Sequence, residues 1–368
     1  MRILSVTPYC ISNYGAMLQA WALRHVLEKM GHTVQNLKYP YFWPGHFGWS
    51  RLLRSRSLAA LRSKLASNRQ VKTVCKEVGG WNETHPYRNP EELAKDPPTA
   101  DCYLVGSDQV FHLDFLKGVS ESRQSLLNFG ADSVRRVAYA ASFGCPVWTD
   151  DVIASHQWAV PLLKRFSAIG LRETTGVELL RRWAGLQGLW TPDPTLLLDA
   201  NAYCRQFKVE RAQKARRQVV SYMLGFTYEP YRRSLHARCC QRVAAHLGGD
   251  VDFLAMQPHQ SLGYWLNNIA NADYVITNSF HGICFSLIFN RPFLPLGFEG
   301  AEAWRNERAR DILAHVGLLD RYLTCENQSE VDFVLSRSFD WASLNAQRRE
   351  FAKIGRQFLS EALSRQCS

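Results

Sequence analysis

Several signatures are missing from this sequence, and each absence narrows the choice. There is no Gly-x-Gly-x-x-Gly and no Walker phosphate loop, which argues against a dinucleotide-dependent oxidoreductase and a P-loop kinase. No Cys-x-x-Cys pair occurs among the ten cysteines, and no metal-ligand spacing stands out, so neither a metal centre nor a cofactor is expected. No apolar run is long enough to span a bilayer. Met1 to Val6 lead straight into a strand-like segment without the layout of an export signal, so a cytoplasmic protein with reduced thiols is expected. Internal repeats and low-complexity segments are also absent.

One stretch lacks charge of one sign. Between Arg51 and Lys76 there is no acidic residue, but there are eight basic ones: Arg51, Arg54, Arg56, Arg62, Lys64, Arg69, Lys72 and Lys76. They account for most of the net charge of +11. Leu58, Leu61 and Leu65 fall among them at helical spacing. A basic amphipathic helix suits an anionic membrane surface or a phosphate-bearing partner, and a solvated helix face is the plain alternative. No recognised nucleic-acid motif accompanies the charge, so no nucleic-acid partner is expected.

What remains reads as a globular α/β protein. At 368 residues the chain exceeds what one core usually serves, so two domains are expected. Arg2 to Val6 reads as a strand, and Asn13-Tyr14-Gly15 as a turn. Ala16 to Met30 carries the stripe Leu18, Ala22, Val26, Met30, and Gly31 ends it. Thr33 to Leu37 resumes a strand. This β-α-β opening predicts a parallel sheet. Tyr39 to Trp49, rich in aromatics, Gly and Pro, reads as a loop, either an active-site flap or a surface that meets lipid. Three further strands, Cys102 to Val105, Val137 to Ala141 and Ala168 to Leu171, each end in a polar cluster. Charge rises near Arg211, Lys214, Arg216 and Arg217, and a boundary falls there. A second α/β set follows, with strands at Val219 to Leu224, Val251 to Met256, Asp273 to Thr277 and Pro292 to Leu296, and helices at Tyr231 to Leu247 and Ser261 to Asn271. The expected domains are residues 1–205, 206–340, and a helical end at 341–368 packing back on the first.

His281 lies just past the strand Asp273 to Thr277, where a helix begins. Ligands of open α/β sheets bind beyond the carboxyl ends of the strands. A helix start favours an anion, and an imidazole transfers protons near neutral pH. A capping turn with an incidental histidine is the alternative. Two such domains facing a central cleft form the GT-B architecture.

The motifs also match a known family. Asn13-Tyr14-Gly15-Ala16-Met17-Leu18-Gln19-Ala20, Val105-Gly106-Ser107-Asp108-Gln109-Val110 and Tyr139-Ala140-Ala141-Ser142-Phe143-Gly144 resemble signatures of the polysaccharide pyruvyl transferases. So do Gly170-Leu171-Arg172-Glu173, Asp193-Pro194-Thr195-Leu196 and Thr277-Asn278-Ser279-Phe280-His281-Gly282. The resemblance implies a GT-B-like fold with two Rossmann-like domains. It also implies transfer of a pyruvyl group from phosphoenolpyruvate to a sugar of a bacterial surface polysaccharide or its lipid-linked precursor. Where one branch of that family has Ser-Arg-x-His-Gly, this chain has Asn278-Ser279-Phe280-His281-Gly282, so the anion contact falls to Arg305, Arg308 or Arg310.

Ketal formation needs a proton donor and fixed cations for a carboxylate and a phosphate. His281 is expected as general acid or phosphate stabiliser. Arg172 is expected as the carboxylate or phosphate clamp, unless it is tied up in an ion pair with Glu173 or another acid. Asp108 is expected as proton acceptor or sugar contact, unless it caps a helix. Asn13, Tyr14, Gly15 and Gln19 are expected on the acceptor side, with Gln19 facing solvent as the alternative. Ser107, Gln109, Ser142, Gly144, Glu173, Asn278, Ser279, Gly282 and Arg308 complete the expected substrate contacts. A soluble enzyme held at the inner face of the cytoplasmic membrane by the Arg51 to Lys76 segment fits a lipid-linked acceptor. The rivals are a glycosyltransferase using a nucleotide sugar, and a non-catalytic sugar- or lipid-binding relative.

Overall fold

The computed structural model describes residues 1–10, 13–39, 58–112, 122–144, 148–210, 217–224, 235–254, 260–298 and 300–364. The proposed flap therefore lies outside the described residues apart from Tyr39, as do Arg51, Arg54, Arg56, Arg211, Lys214 and Arg216. The chain divides into two compact units, Met1–Leu198 with Phe351–Ser368, and Asp199–Glu350.

The first unit is built on a six-stranded parallel sheet. Its strands are β1 (Arg2–Val6), β2 (Thr33–Asn36), β3 (Cys102–Val105), β4 (Arg135–Ala141), β5 (Ala168–Leu171) and β6 (Leu189–Trp190), in the order β2-β1-β3-β4-β5-β6. Every residue of β3 and β4 is buried, as expected of parallel strands covered on both faces. Helix α1 (Tyr14–Lys29) returns the chain from β1 to β2. Asn13 starts it, its side chain accepting a hydrogen bond from the Ala16 amide at 3.2 Å. The helix begins two residues before the expected Ala16, because Tyr14 and Gly15 are buried against the fold and the cap supplies the turn. Helix α2 (Leu58–Glu77) carries the basic segment, and α3 (Thr174–Ala184) follows β5.

The second unit has a four-stranded parallel sheet, β7 (Gln218–Tyr222), β8 (Asp250–Phe253), β9 (Tyr274–Thr277) and β10 (Phe293–Pro295), in the order β10-β9-β7-β8. Helices α4 (Leu235–Leu247), α5 (Leu262–Asn271), α6 (Phe280–Ile288) and α7 (Glu307–His315) accompany it. Its core includes Val219, Val243, Ile276, Leu294 and Leu323, all essentially inaccessible. Each such side chain contributes roughly 1.5–3 kcal/mol. The last helix, α8 (Trp341–Ser364), places its second half on the first sheet. Phe351 packs against Trp190 with ring centroids 4.5 Å apart, Phe358 meets Tyr139 at 5.9 Å, and Arg135 donates to the Ala362 carbonyl at 3.0 Å.

Both sheets reverse direction of growth at one point. In the first, β2 and β3 lie on opposite sides of β1; in the second, β8 and β9 lie on opposite sides of β7. Such a reversal splays the loops at the carboxyl ends of the two central strands apart and makes a natural ligand crevice. Those points are β1/β3 and β7/β9.

Candidate active site

In the first unit the polar clusters after β1, β3, β4, β5 and β6 meet at one sheet edge. Gly106 lets the loop after β3 approach the loop after β1, since a Cβ there would sit 2.9 Å from Thr7 Cβ. Thr7 Oγ1 donates to the Ser107 carbonyl at 3.1 Å. Gln19 is completely buried, which excludes the solvent-facing alternative. Its Nε2 donates to Thr7 Oγ1, the Pro8 carbonyl and the Ala16 carbonyl, so it braces the β1–α1 turn.

Arg172 sits at the centre. Its side chain is 1% exposed, and the carboxylate of Asp193 beside it is 0% exposed. Nη1 donates to Asp193 Oδ2 at 2.9 Å and to Ser107 Oγ at 3.2 Å, while Nη2 points to Asp108 Oδ1 at 3.5 Å. Burial works against the guanidinium charge, but the carboxylates of Asp193, Asp108 and Glu173 outweigh it and hold the arginine above its ordinary pKa. The fork expected to clamp a ligand is thus already directed at protein acceptors, with ion pairs to Asp193 and Asp108. Glu173 has a separate task. Its Oε1 accepts from the Phe143 amide at 2.7 Å and the Gly144 amide at 3.4 Å, tying the end of β5 to the loop after β4.

Asp108 is the part of this network that reaches solvent, with 21% of its side chain exposed. Its φ of +87° is the left-handed conformation that few side chains tolerate. No helix begins in residues 109–112, so the capping alternative is not what the described residues show. Instead Oδ1 accepts from the Gln109 amide at 2.8 Å. The Asp108 carbonyl accepts from the Ser142 amide at 3.0 Å, and the Phe111 amide donates back to the Ser142 carbonyl. A register shift in β4 between Ala138 and Ala141, with Ala140 at φ +48°, aims this loop. Gly144, at φ +71°, leaves no room for a Cβ, which would meet His112 at 2.4 Å. Ser142 Oγ accepts from the Gly144 amide, and Gln109 Nε2 has no hydrogen-bond partner among the described residues.

In the second unit the β7/β9 crevice carries the other motif. Thr277 Oγ1 donates to the Tyr222 carbonyl at 2.6 Å, and Asn278 bonds both the amide and the carbonyl of Leu224, at 2.7 and 3.0 Å. Ser279 caps α6, accepting from the Gly282 amide at 3.3 Å. Asn278 and Ser279, expected as substrate contacts, are each 3% exposed, and their side-chain hydrogen bonds serve the loop. Gly282 is required by packing, because a Cβ would lie 2.3 Å from Thr277 Oγ1. His281 is the second residue of α6, one step further into the helix than the turn expected for it, because Ser279 starts the helix early. Its ring lies edge-on to Phe280 at 5.3 Å, and the Arg308 guanidinium stands 5.9 Å over Phe280. Of the three candidate cations, Arg305 pairs with Glu302 and stacks on Phe298, and Arg310 lies against Tyr322. Arg308 is the one whose guanidinium lies over the ring of Phe280, the residue before His281.

The residue that sequence reasoning left without a role is Asp193. An Asp-Pro-Thr after a short strand is a capping pattern, and Asp193 Oδ1 does accept from the Thr195 amide and hydroxyl. A counter-charge for the buried arginine was the missing signal. Among the described residues no group of three His, Cys, Asp or Glu side chains has metal-binding geometry. No helix of the described residues is long and apolar enough to cross a membrane.

Two Rossmann-like parallel α/β units, each with motif residues at its switch point, define a GT-B-class transferase fold. The structure of Arabidopsis thaliana UGT89C1 complexed with UDP-L-rhamnose shares that fold at a TM-score of 0.50 and 9% identity, over 98% of either chain. UDP-GlcNAc 2-epimerase from Neisseria meningitidis, bound to UDP-GlcNAc, aligns at a TM-score of 0.48 and 9% identity over 99% of each chain. The calicheamicin glycosyltransferase CalG4 aligns at 0.47 and 14% identity, over 100% of this chain and 99% of that one. No curated protein matches the chain in sequence. The family model for polysaccharide pyruvyl transferases matches residues 13–299, and the chain belongs to that family.

Proposed function

We propose that the protein transfers a pyruvyl group from phosphoenolpyruvate to a sugar of a surface polysaccharide or its lipid-linked precursor, forming a cyclic ketal. The observation that carries this reading is His281 in the first turn of α6 at the β7/β9 switch point, within a chain of the pyruvyl transferase family. The methylene carbon of the enol takes up a proton, and a sugar hydroxyl attacks the cationic carbon that results. Phosphate leaves, and a second hydroxyl of the same sugar closes the ring. His281 delivers the proton or steadies the phosphate, and the positive end of α6 favours the anion. Arg308 contributes a cation on the same side.

The acceptor falls to the first unit, where Asn13, Tyr14 and Gly15 lie. Asp108 accepts a hydroxyl proton or binds the sugar. Arg172 acts through Asp108 as a positioning residue, since its fork is engaged within the protein. The basic face of α2 supports a membrane-side location for this chemistry. Arg62, Arg69, Lys72 and Lys76 are exposed there, and Leu65 is 40% exposed among them, while Val71 and Val74 face inward. These residues recur at helical spacing and form one stripe along the helix. Peripheral binding to anionic lipid brings the enzyme to a lipid-linked acceptor.

Phosphate release from phosphoenolpyruvate tests the reading, with and without lipid-linked and nucleotide-linked sugars. Release that depends on both phosphoenolpyruvate and an acceptor is expected. Release of a nucleoside diphosphate from a sugar nucleotide, with phosphoenolpyruvate inert, would assign the chain to glycosyl transfer instead.

A further inference from the structure

A pair of thiols brings together the loop after β1 and the end of α2. Cys10 lies in the loop after β1 and is 3% exposed. Cys75 lies in the last turn of α2 and is half-buried. Neither is in a disulfide, and both belong to one small cluster, in which Cys75 and Trp81 pack against Tyr9, Cys10, Ala20 and Val71. The cluster is ringed by polar groups. Tyr9 donates to Glu83 at 2.8 Å, Lys38 pairs with the same carboxylate at 2.7 Å, and Arg24 stands 4.9 Å over the Trp81 ring. Hydrogen bonding with the Cys10 thiol, aided by the charge of Lys38, lowers the pKa of the Cys75 thiol from its ordinary value against burial and the charge of Glu83.

We propose that Cys75 and Cys10 form a redox-modification site, in which Cys75 is the attacking thiol and Cys10 the resolving one, and the oxidant is a hydroperoxide. The arrangement divides the two tasks by access. Cys75 is partly exposed, whereas Cys10 is almost fully buried in the cluster against which Cys75 packs. The Cys75 sulfur, as thiolate, attacks one oxygen of the peroxide. The O–O bond breaks, and the other oxygen leaves as water or an alcohol after taking up a proton. Cys75 is then a sulfenic acid. The Cys10 sulfur attacks the sulfenic sulfur, so that an S–S bond forms, the S–O bond breaks, and the hydroxide, taking up the Cys10 thiol proton, leaves as water. Two thiols lose two electrons in total, and the peroxide gains them. The product ties the end of α2 to the loop that leads from β1 towards Asn13. None of this depends on which transfer reaction the protein performs.

The experiment uses the reduced full-length chain and limiting hydrogen peroxide, followed by thiol alkylation and peptide mapping by mass spectrometry. A Cys10–Cys75 disulfide is expected to form first, reversed by dithiothreitol. Cys204, another half-buried thiol, is the internal reference and should react at least about tenfold more slowly. In Cys10→Ser the Cys75 sulfenic acid should persist and be captured by dimedone. Cys75 reacting no faster than Cys204, or oxidising without joining Cys10, overturns the proposal. The map of the unsubstituted chain decides the matter even if Cys10→Ser fails to fold.

Discussion

Asp193→Ala isolates the counter-ion of Arg172. The substitution leaves a guanidinium with 1% of its side chain exposed facing the space of a lost carboxylate. Removing one member of a buried ion pair costs about 3–5 kcal/mol, because the remaining charge stays out of water. Two further effects act in opposite directions. Thr195 loses an acceptor for its amide and hydroxyl, which adds to the loss. Asp108 remains 3.5 Å from Nη2 and offsets part of it. The net expectation is about 4 kcal/mol. At ~2–4 °C per kcal/mol for a unit of this size, the melting temperature should fall by roughly 8–16 °C. Differential scanning calorimetry is the assay, and the shift should fall on the transition of the Met1–Leu198 and Phe351–Ser368 unit. Replacing both charges, with Arg172→Met and Asp193→Leu together, removes the stranded ion and should recover most of that stability while abolishing activity. A melting temperature for Asp193→Ala within about 2 °C of the parent would refute the buried pair as a structural element.

Other substitutions probe the second unit and the basic helix. His281→Ala should lower turnover at least about a hundredfold in a protein that still folds, measured as product formation from phosphoenolpyruvate. Gly282→Ala should destabilise by roughly 1–3 kcal/mol in chemical denaturation, because its Cβ would meet a Thr277 hydroxyl already fixed between Tyr222 and Ser279. Burial depresses the pKa of His236 from 6.5 to about 4, so the unfolded chain binds its proton first. Stability from this group is complete above about pH 6.5 and falls by about 3 kcal/mol as the pH drops to about 4, and His236→Gln should flatten that slope in pH-dependent unfolding. Charge reversal at Arg62, Arg69, Lys72 and Lys76 should abolish salt-sensitive co-sedimentation with anionic liposomes. Each residue contributes roughly 1 kcal/mol near the bilayer. Equal partitioning of the two proteins would leave α2 a solvated helix.

Period and punctuation made the elements legible, and packing moved their ends. The alternation of strand and helix from Arg2 to Leu37 and the helix Trp341–Ser364 could be read directly, because their apolar spacing is regular. Helix starts shifted where a cap took over: Asn13 extends α1 to Tyr14, and Ser279 draws His281 inside α6. Strand β6, two residues long, left no periodic trace. At the site, the residue types were readable but not their partners. Arg172 read as a ligand clamp because sequence does not say that the Asp193 carboxylate, twenty-one positions on, turns back to meet it. Gln19, Asn278, Ser279 and Glu173 were legible as polar site residues, but their bonds within the loops were not, because loop braces and substrate contacts draw on the same residue types. What distinguishes the two roles is where the hydrogen bonds go, and that depends on tertiary structure.

The most direct measurement of the central claim is mass analysis of the acceptor after incubation with phosphoenolpyruvate. Lipid-linked and nucleotide-linked sugars would be offered in parallel to the protein and to its His281→Ala variant. The account predicts that one acceptor gains a pyruvate less one water, that phosphate appears in equal amount, and that the variant produces neither. An acceptor extended by a sugar unit with release of nucleoside diphosphate, or ketal formation undiminished in His281→Ala, would contradict it.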